Sequence, residues 1–248
     1  MNTSKEQLQE NQYTFPYHHL AHFENDGIYV FRHLFWGLEH ITYISFVINK
    51  IKEHDPNSIV DIGCGEGRII SELISSFEAS KLQGFDISEK AIGFARAFVP
   101  KVEFNIHDII LAPLPKKYDS AVSCEVIEHI EPEKVRDYCK NIADSLNSGG
   151  SLFLTTPTTN VPTNRKHYQH FTKESLEEHL SPFFDIVEVS YLNCVNSRSR
   201  LLNRLIANKF YISNFKCLNR FVLQQYKRKL LIGDSETGSR IYIKAVKK

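Results

Sequence analysis

Apolar residues recur along the chain with two different spacings, and their alternation predicts an α/β fold. Short apolar runs typical of β-strands occur at 58–62, 82–86, 102–107, 118–124, 151–155, 184–192 and 240–246. Apolar residues spaced as on one face of a helix occur between them, at 66–75, 88–98, 132–146 and 173–180. Strands that alternate with helices predict a mostly parallel sheet with helices on both faces.

Capping and turn residues mark where two of these helices should begin and end. Ser88, followed by apolar residues at 91 and 92, is the predicted N-cap of the second helix. Residues 147–150, with the sequence Asn-Ser-Gly-Gly, predict a helix stop and a turn before the next strand.

Two segments depart from the alternating pattern and define the expected domain organisation. Residues 1–55 form a polar tail followed by an aromatic and histidine-rich stretch with helical spacing, which predicts an N-terminal helical cap. Residues 196–233 predict two amphipathic helices with nine Arg or Lys and no Asp or Glu. The central domain is therefore expected to comprise 56–195 together with 234–248, with 196–233 as a basic helical insertion.

Composition narrows the class of protein. The formal net charge of +1 over 248 residues gives no global preference for polyanions. The five cysteines form no C-x-x-C pair, which argues against a disulfide framework or a zinc ribbon and favours free thiols in a reducing cytoplasm. The polar start of the chain argues against a secretory signal. No apolar run reaches about 18 residues, so no membrane-spanning helix is expected.

Polar residues follow three successive predicted strands. The first strand ends at Asp61 and leads into a turn with Gly63, Gly65 and Gly67, whose G-x-G-x-G spacing differs from the G-x-G-x-x-G of dinucleotide sites. Asp86 ends the second strand, about twenty residues on, where an acid accepts ribose hydroxyls. Asp108 follows the third strand, where a carboxylate can accept from an adenine amine. Since ligands bind beyond the carboxyl ends of parallel strands, the three strand ends predict a nucleoside site.

Five motifs together resemble the class I S-adenosylmethionine-dependent methyltransferases. They are "VDIGCGEGR", "GFDIS", "HDI", "CEVIEHI" and "LNSGGSLFLTTP", in the usual order of that family, over 58–192 with the closing strand. The resemblance implies a Rossmann-like seven-stranded sheet whose last strand is antiparallel, and S-adenosyl-L-methionine as the cofactor. An NAD-dependent oxidoreductase and a non-catalytic regulatory module that binds S-adenosylmethionine are the alternatives.

The resemblance also assigns cofactor-binding residues. Asp61 would order the loop and the methionine amino end, Ile87 would lie against the adenine, and Glu125 would lie near the sulfonium. Gly63 and Gly65 would let the backbone approach the ligand because they lack Cβ. The complete expected set is Asp61, Gly63, Cys64, Gly65, Gly67, Asp86, Ile87, Asp108, Ile109 and Glu125.

The stretch "CEVIEHIEPEK" is the candidate for the acceptor side. In a helix, Glu125, Glu128 and His129 would share one face. A similar sequence occurs in ubiquinone-pathway and related small-molecule O-methyltransferases, where no metal is needed. A similar sequence with a downstream histidine binds a divalent metal in small-RNA 2′-O-methyltransferases. The downstream "H-x-x-H-F-T" pattern, with His167 and His170, favours the metal-free type.

Methyl transfer to oxygen benefits from a base, and histidine suits neutral pH. His129, His167 and His170 are the candidate catalytic residues, with His129 favoured because it lies near a strand end. The predicted function is therefore O-methylation of a small molecule or a glycan intermediate. The alternatives are a metal-dependent RNA 2′-O-methyltransferase and the non-catalytic module.

Two further segments bear on partners. Tyr13, Tyr17, His18 and His19 either line the acceptor site or belong to a packed cap. The basic segment 198–229 is expected to contact a membrane surface or an anionic acceptor, or to pack as a basic flap. Nucleic acid is not expected as a partner, because the segment lacks a recognised RNA-binding motif.

Overall fold

A single mixed sheet forms the centre of the protein. The computed structural model describes residues 34–206 and 215–248, together with Lys5, Gln7 and two short paired strands, β1 (His22–Glu24) and β2 (Gly27–Tyr29). The strands of the central sheet are β3 (Ile59–Ile62), β4 (Leu82–Asp86), β5 (Glu103–Ile106), β6 (Tyr118–Cys124), β7 (Leu146–Pro157), β8 (Phe184–Cys194), β9 (Ile232–Gly233) and β10 (Gly238–Lys247). The helices are α1 (Leu34–His54), α2 (Arg68–Leu73), α3 (Glu89–Phe98), α4 (Val135–Asp144), α5 (Lys173–Leu180), α6 (Ser197–Ile206) and α7 (Lys216–Lys229).

The strand order is β5-β4-β3-β6-β7-β10-β8-β9. Strands β3 to β7 are parallel to one another, whereas β10 runs antiparallel to both β7 and β8. The predicted Rossmann-like sheet with an antiparallel last strand is therefore confirmed. The sheet differs from the predicted seven strands by the two-residue β9, which pairs with Tyr191 and Leu192 at the edge and is too short to produce a pattern.

The predicted start of α3 is confirmed, but the predicted turn at 147–150 is wrong. The Ser88 side chain accepts a hydrogen bond from Ala91 N, as an N-cap does. Helix α4 does stop, at Asp144, but residues 147–150 already belong to β7. The β6–β7 register is irregular between Tyr118 and Ser120, and Gly149 has φ of 70°. The glycine therefore serves an irregularity within the ladder instead of a separate turn.

The core consists of two apolar layers, one on each face of the sheet. Neighbouring residues of β3 point to opposite faces, so Ile59 packs with α1, α2 and α3 while Val60 packs with α4 and α5. All four residues of β3 are buried, as expected for a central parallel strand. The carboxyl ends of the parallel strands are thereby held in fixed positions along one edge of the sheet.

The basic segment contains the two expected helices, α6 and α7, on either side of 207–214, which lie outside the described residues. Val222 and Tyr226 bury one side of α7, and Tyr226 joins Cys194 and Leu230 in a small apolar cluster. Apolar side chains also remain exposed on these helices and just before α7, at Leu201, Leu205, Phe215 and Phe221. Of the described helices, none combines the length and apolarity that crossing a bilayer requires.

Candidate functional site

A cavity opens at the carboxyl ends of the parallel strands, where α/β proteins bind ligands. Its walls come from the ends of β3, β4 and β6, the loop after β5, the start of α1, the segment after β7, and the start of β10. Lys5 and Gln7, near the start of the chain, also line it, whereas Tyr13, Tyr17, His18 and His19 lie outside the described residues. Of the residues predicted for the site, those that line this cavity are Asp61, Gly63, Cys64, Gly65, Asp86, Ile87, Asp108, Ile109, Glu125, His129, His167 and His170.

The glycine turn connects β3 to α2 in a left-handed conformation. Gly63, Gly65 and Gly67 have φ of 74°, 54° and 80°. A Cβ at Gly63 would overlap the Val126 side chain, so glycine is required there both for its φ and for space. Gly67 is absent from the cavity lining, and a Cβ there would lie 3.1 Å from Phe104 Cζ. Its position fits a packing role under the turn.

Asp86 connects the glycine turn to the start of α3. Its Oδ2 accepts a hydrogen bond from Gly65 N at 2.9 Å, and its Oδ1 accepts from Ser88 N at 2.8 Å. Asp86 also lines the cavity, where a carboxylate can accept hydrogen bonds from a ligand. Ile87, the next residue, is 66% exposed and forms part of the cavity wall, so it is not an ordinary core residue. Asp108 follows β5 and accepts from Ile110 N at 2.9 Å.

Asp61 is a buried carboxyl group at the end of β3. Among the described residues, its Oδ2 has no hydrogen-bond partner. Burial, followed by the negative charges of Asp86 and Glu66, raises the pKa of Asp61 to about 8. A ligand ammonium group would both neutralise this carboxylate and provide the missing donor. The site therefore fits the amino group of S-adenosylmethionine.

Glu125 follows β6 and is held by protein groups. Its φ of 59° is unusual for a residue with a side chain. Its Oε2 accepts from Arg240 Nε at 2.9 Å, and its Oε1 accepts from Thr155 Oγ1 at 3.2 Å. The Arg240 guanidinium also lies 4.6 Å from the centre of the Tyr43 ring. These contacts link the ends of β6 and β10 to α1 at the cavity wall.

The predicted common face of Glu125, Glu128 and His129 is not observed. Residues Ile127–His129 form a single 3-10 turn that begins after Glu125, so the three side chains do not follow α-helical spacing. Glu128 is buried, and its Oε2 accepts from Thr156 Oγ1 at 3.1 Å. His129 lies beside it, with Nε2 3.9 Å from Glu128 Oε1.

Three histidines converge on this end of the cavity. His129 and His167 have ring centres 4.8 Å apart, and His167 and His170 have ring centres 5.0 Å apart. His129 Nδ1 faces the Lys166 carbonyl at 3.2 Å, and His170 Nδ1 faces the Val161 carbonyl at 3.0 Å. Because a carbonyl oxygen only accepts, both Nδ1 atoms are assigned as protonated donors.

These assignments fix the third ring as well. In the neutral tautomer of His170 that has its proton on Nδ1, Nε2 is an acceptor, and His167 Nδ1 donates to it at 2.8 Å. In the neutral rings, Nε2 of His129 and Nε2 of His167 therefore keep their lone pairs. Burial lowers the pKa of His129 to about 4. Burial, with the charges of His129 and His170 next, lowers the pKa of His167 to about 3, so both rings are neutral near pH 7.

Several residues of the cavity wall were not predicted from the sequence. Glu39 and Tyr43 come from α1, and Arg240 comes from the start of β10. Arg240 is a charged residue at the start of a largely apolar strand, and Glu39 is an acid within an aromatic stretch; both are signals that the sequence contains. Lys166 and Lys5 also line the wall beside the histidines.

A family model described as "Methyltransferase domain" matches residues 38–190, more than half of the chain. The chain belongs to this family, and with its fold and site it is a class I S-adenosylmethionine-dependent methyltransferase.

Proteins with similar sequences are also named as methyltransferases. The chain is 28% identical over 139 residues to "Probable S-adenosyl-L-methionine-dependent methyltransferase TehB" of Haemophilus influenzae, over 54% of this chain and 48% of that protein. It is 32% identical over 111 residues to "Ubiquinone biosynthesis O-methyltransferase" of Paraburkholderia phytofirmans, over 42% of this chain and 46% of that protein. The chain thus spans about half the length of the curated relatives it matches.

Solved structures share the fold. The N-methyltransferase NodS of Bradyrhizobium japonicum, in complex with S-adenosyl-L-homocysteine, has a TM-score of 0.57 at 15% identity, covering 87% of this chain and 88% of that one. Magnesium protoporphyrin IX methyltransferase of Synechocystis, with bound S-adenosylmethionine, has a TM-score of 0.55 at 18% identity, covering 85% and 81%.

Proposed function

We propose that the protein transfers a methyl group from S-adenosylmethionine to an oxygen atom of a small molecule or a glycan intermediate. The observation that supports an oxygen acceptor is the pair of unprotonated imidazole nitrogens of His129 and His167 in the cofactor cavity. Both rings are neutral near pH 7 and can therefore accept a hydroxyl proton, although their lowered pKa values make them weak bases. The ubiquinone-biosynthesis O-methyltransferases among the relatives are consistent with this acceptor class.

The cofactor would be held along the ends of β3, β4 and β5. Asp61 would pair with its amino group, Asp86 with its ribose hydroxyls and Asp108 with its adenine amine, while Ile87 covers the adenine. The bound cofactor supplies a methyl group on a sulfonium with a good leaving group. The remaining task of the protein is to align the acceptor oxygen and to exclude water.

The acceptor would lie between the cofactor and the histidines. The hydrogen bonds from His129 Nδ1 and His167 Nδ1 fix each ring with its Nε2 lone pair available. A hydroxyl that approaches these atoms can donate its proton as its oxygen attacks the methyl carbon. His170 does not need to touch the acceptor, because its role is to orient His167.

Cofactor turnover tests this proposal. The protein should release S-adenosylhomocysteine steadily with an oxygen acceptor from a panel of phenols, polyols and sugar derivatives. His129→Gln should lower the rate of release by roughly 10²–10⁴-fold, whereas the exposed His54→Gln should leave it unchanged. Binding of S-adenosylmethionine without turnover on any acceptor would instead favour the non-catalytic module.

We also propose that the basic helices α6 and α7 contact an anionic membrane surface. The supporting observation is the combination of clustered Arg and Lys with exposed apolar side chains, of which Phe215 is 78% exposed. The competing partner is an anionic acceptor that these helices would help to hold.

A further inference from the structure

The acceptor end of the cavity contains a set of side chains suited to a metal ion. One ligand atom from each of Glu128, His129 and His167 lies within 4.8 Å of the other two. The three residues come from a 3-10 turn after β6 and from the loop after β7, so two separate segments of the chain bring them together. Two imidazoles and one carboxylate form a donor set that zinc enzymes use, with a further position left for water or substrate.

Each of the three side chains also has the supporting partner that metal ligands require. Ligating histidines usually donate their other ring N–H to a carbonyl or a similar acceptor, which fixes the tautomer. His129 Nδ1 donates to the Lys166 carbonyl, and His167 Nδ1 donates to His170 Nε2. Glu128 Oε2 accepts from Thr156 Oγ1, which leaves Oε1 as the oxygen nearer to His129.

This set differs from the one that the RNA-type resemblance implies. Glu125 would be a ligand there, but its two oxygens accept from Arg240 and Thr155. His170 would be another, but its Nδ1 donates to the Val161 carbonyl and its Nε2 accepts from His167. The hydrogen-bonding atoms of Glu125 and His170 are therefore occupied by other protein groups. Glu128, His129 and His167 remain as possible ligands.

We propose that Glu128, His129 and His167 bind one divalent transition-metal ion of the zinc type. The ligand atoms would have to approach one another by up to about 1.4 Å, because zinc bonds of about 2.0–2.2 Å place tetrahedral ligand atoms roughly 3.4 Å apart. This assignment reverses the expectation of metal-free chemistry that the sequence favours. Binding of the ion would occupy the Nε2 lone pairs of His129 and His167, so the metal site replaces the role of base proposed for these two nitrogens. Only the position of the ion beside the acceptor oxygen rests on the proposed function.

The surrounding charge determines which ions bind. Lys5 and Lys166 lie close enough for their ammonium charges to act on the His167 ring. A cation here must therefore be held by strong nitrogen ligands, which favours Zn²⁺, Co²⁺ and Ni²⁺ over Mg²⁺. We expect saturable binding of Co²⁺ and its displacement by Zn²⁺, with no competition from Mg²⁺ at the same concentration.

The test is a titration of the chelator-treated protein with Co²⁺, followed by visible absorption. One equivalent should bind, and Glu128→Gln, His129→Gln and His167→Gln should each weaken binding by more than the roughly 10- to 100-fold expected for the loss of an outer-shell partner. His54→Gln, which changes an exposed histidine far from the cavity lining, should bind as the wild type does. Absence of saturable Co²⁺ binding by the wild type, or wild-type affinity in the three ligand variants, would overturn the proposal.

Cofactor binding provides the control for folding and for the proposed function. S-adenosylmethionine affinity is measured by calorimetry in chelator for every variant, and a variant that still binds the cofactor is folded. If the cofactor binds and Co²⁺ does not, only the metal site is refuted. If Co²⁺ binds at these residues, the base role of His129 and His167 is refuted, whereas the methyltransferase assignment is refuted only if the cofactor fails to bind.

Discussion

At the scale of single residues, Asp86 is the proposed acceptor for the ribose hydroxyls of S-adenosylmethionine. Asp86 accepts hydrogen bonds from Gly65 N and Ser88 N and lines the cavity, where we expect it to accept from the ribose hydroxyls. Asp86→Ala should weaken cofactor binding by about 1–3 kcal/mol, because the hydroxyls would lose their acceptor. Calorimetry measures the change, and Asp144→Ala, at the exposed pair with Lys140, is the matched control. Wild-type affinity in Asp86→Ala, or tight binding of NAD by the wild type, would contradict the assignment.

The second prediction for a single residue concerns Asp61. Its raised pKa means that its ionisation lowers the free energy of unfolding. Its pKa is about 8 in the folded protein, well above the ordinary value of 3.8. The folded protein therefore holds this proton more tightly than the unfolded chain does, and stability falls as the pH rises from about 4 through 8. Asp61→Asn removes the buried charge and should raise the melting temperature of the cofactor-free protein at pH 8. The same variant should bind the cofactor more weakly, since the amide cannot pair with an ammonium as a carboxylate does.

Thermal unfolding at pH 5 and pH 8, with and without cofactor, separates these effects. The gain in melting temperature should be larger at pH 8 than at pH 5. A variant that is destabilised at both pH values and binds the cofactor normally would show that Asp61 has a purely structural role.

The sequence predicts those residues of the cavity wall that lie at the end of a strand or immediately after it. Asp61, Asp86 and Asp108 all line the cavity because parallel strands end at one edge. Arg240 and Glu39 were missed, because their place in the cavity depends on how β10 and α1 pack, and no local spacing encodes this. The face shared by Glu125, Glu128 and His129 was wrong because the segment adopts a 3-10 turn.

At the scale of elements, the glycine turn should be intolerant of substitution. Gly63 has a φ of 74°, and its missing Cβ leaves room for Val126. Gly63→Ala should lower the free energy of unfolding by about 1–3 kcal/mol through strain and overpacking. Gly93→Ala in α3 is the matched control, since a Cβ there meets nothing within 4 Å and the change should stabilise the helix by roughly 0.5–1 kcal/mol. Chemical denaturation measures both values, and equal effects of the two changes would contradict the role of the turn.

The second prediction at the scale of elements concerns binding of the basic helices α6 and α7 to anionic membranes. Basic residues near an anionic leaflet contribute about 1 kcal/mol each. The protein should therefore sediment with anionic liposomes at low salt but not with neutral ones. The double variant Arg200→Glu, Arg204→Glu should lose this binding, while the exposed pair Lys101→Glu, Lys117→Glu should keep it. If the wild type ignores both kinds of liposome while the Arg200, Arg204 variant loses methyl transfer, the anionic acceptor is the better explanation.

Elements with a strong apolar period were the most predictable. β4, β6 and α5 have the bounds that the sequence predicts: both strands are largely buried, and the side chain of Thr172 caps the start of α5. The 147–150 region was mistaken for a turn, because two glycines and an Asn also suit an irregular strand. β9 has only two residues, and its pairing with β8 depends on where the preceding helix α7 ends. The sequence therefore gives no pattern from which β9 could be predicted.

For the whole molecule, the neutral histidines predict a loss of stability in mild acid. The pKa values of His129 and His167 in the folded protein are about 4 and 3, below the ordinary value near 6.5. The unfolded chain therefore takes up more protons as the pH falls below about 6.5, and stability decreases from there down to the folded-state values. The double variant His129→Gln, His167→Gln should show a smaller decrease between pH 6.5 and pH 4.5.

Chemical denaturation at several pH values gives the comparison. The other titrating groups are the same in the wild type and the variant, so the difference between their two curves isolates the histidines. Parallel curves across this range would mean that the two rings titrate alike in the folded and unfolded chain.

The position of β10 has a consequence for the order in which the chain can become functional. β10 lies between β7 and β8, although both of those strands precede it along the sequence. A nascent chain that has exposed everything up to β8 already has the strand ends for the nucleoside, but it lacks the strand that separates β7 from β8 and provides Arg240. Until β10 inserts, Glu125 has no guanidinium partner and two strand edges stay open to other chains. The cavity wall at Glu125 therefore takes its final form only after β10 has been synthesised, and until then a chaperone that shields the two edges would favour correct assembly.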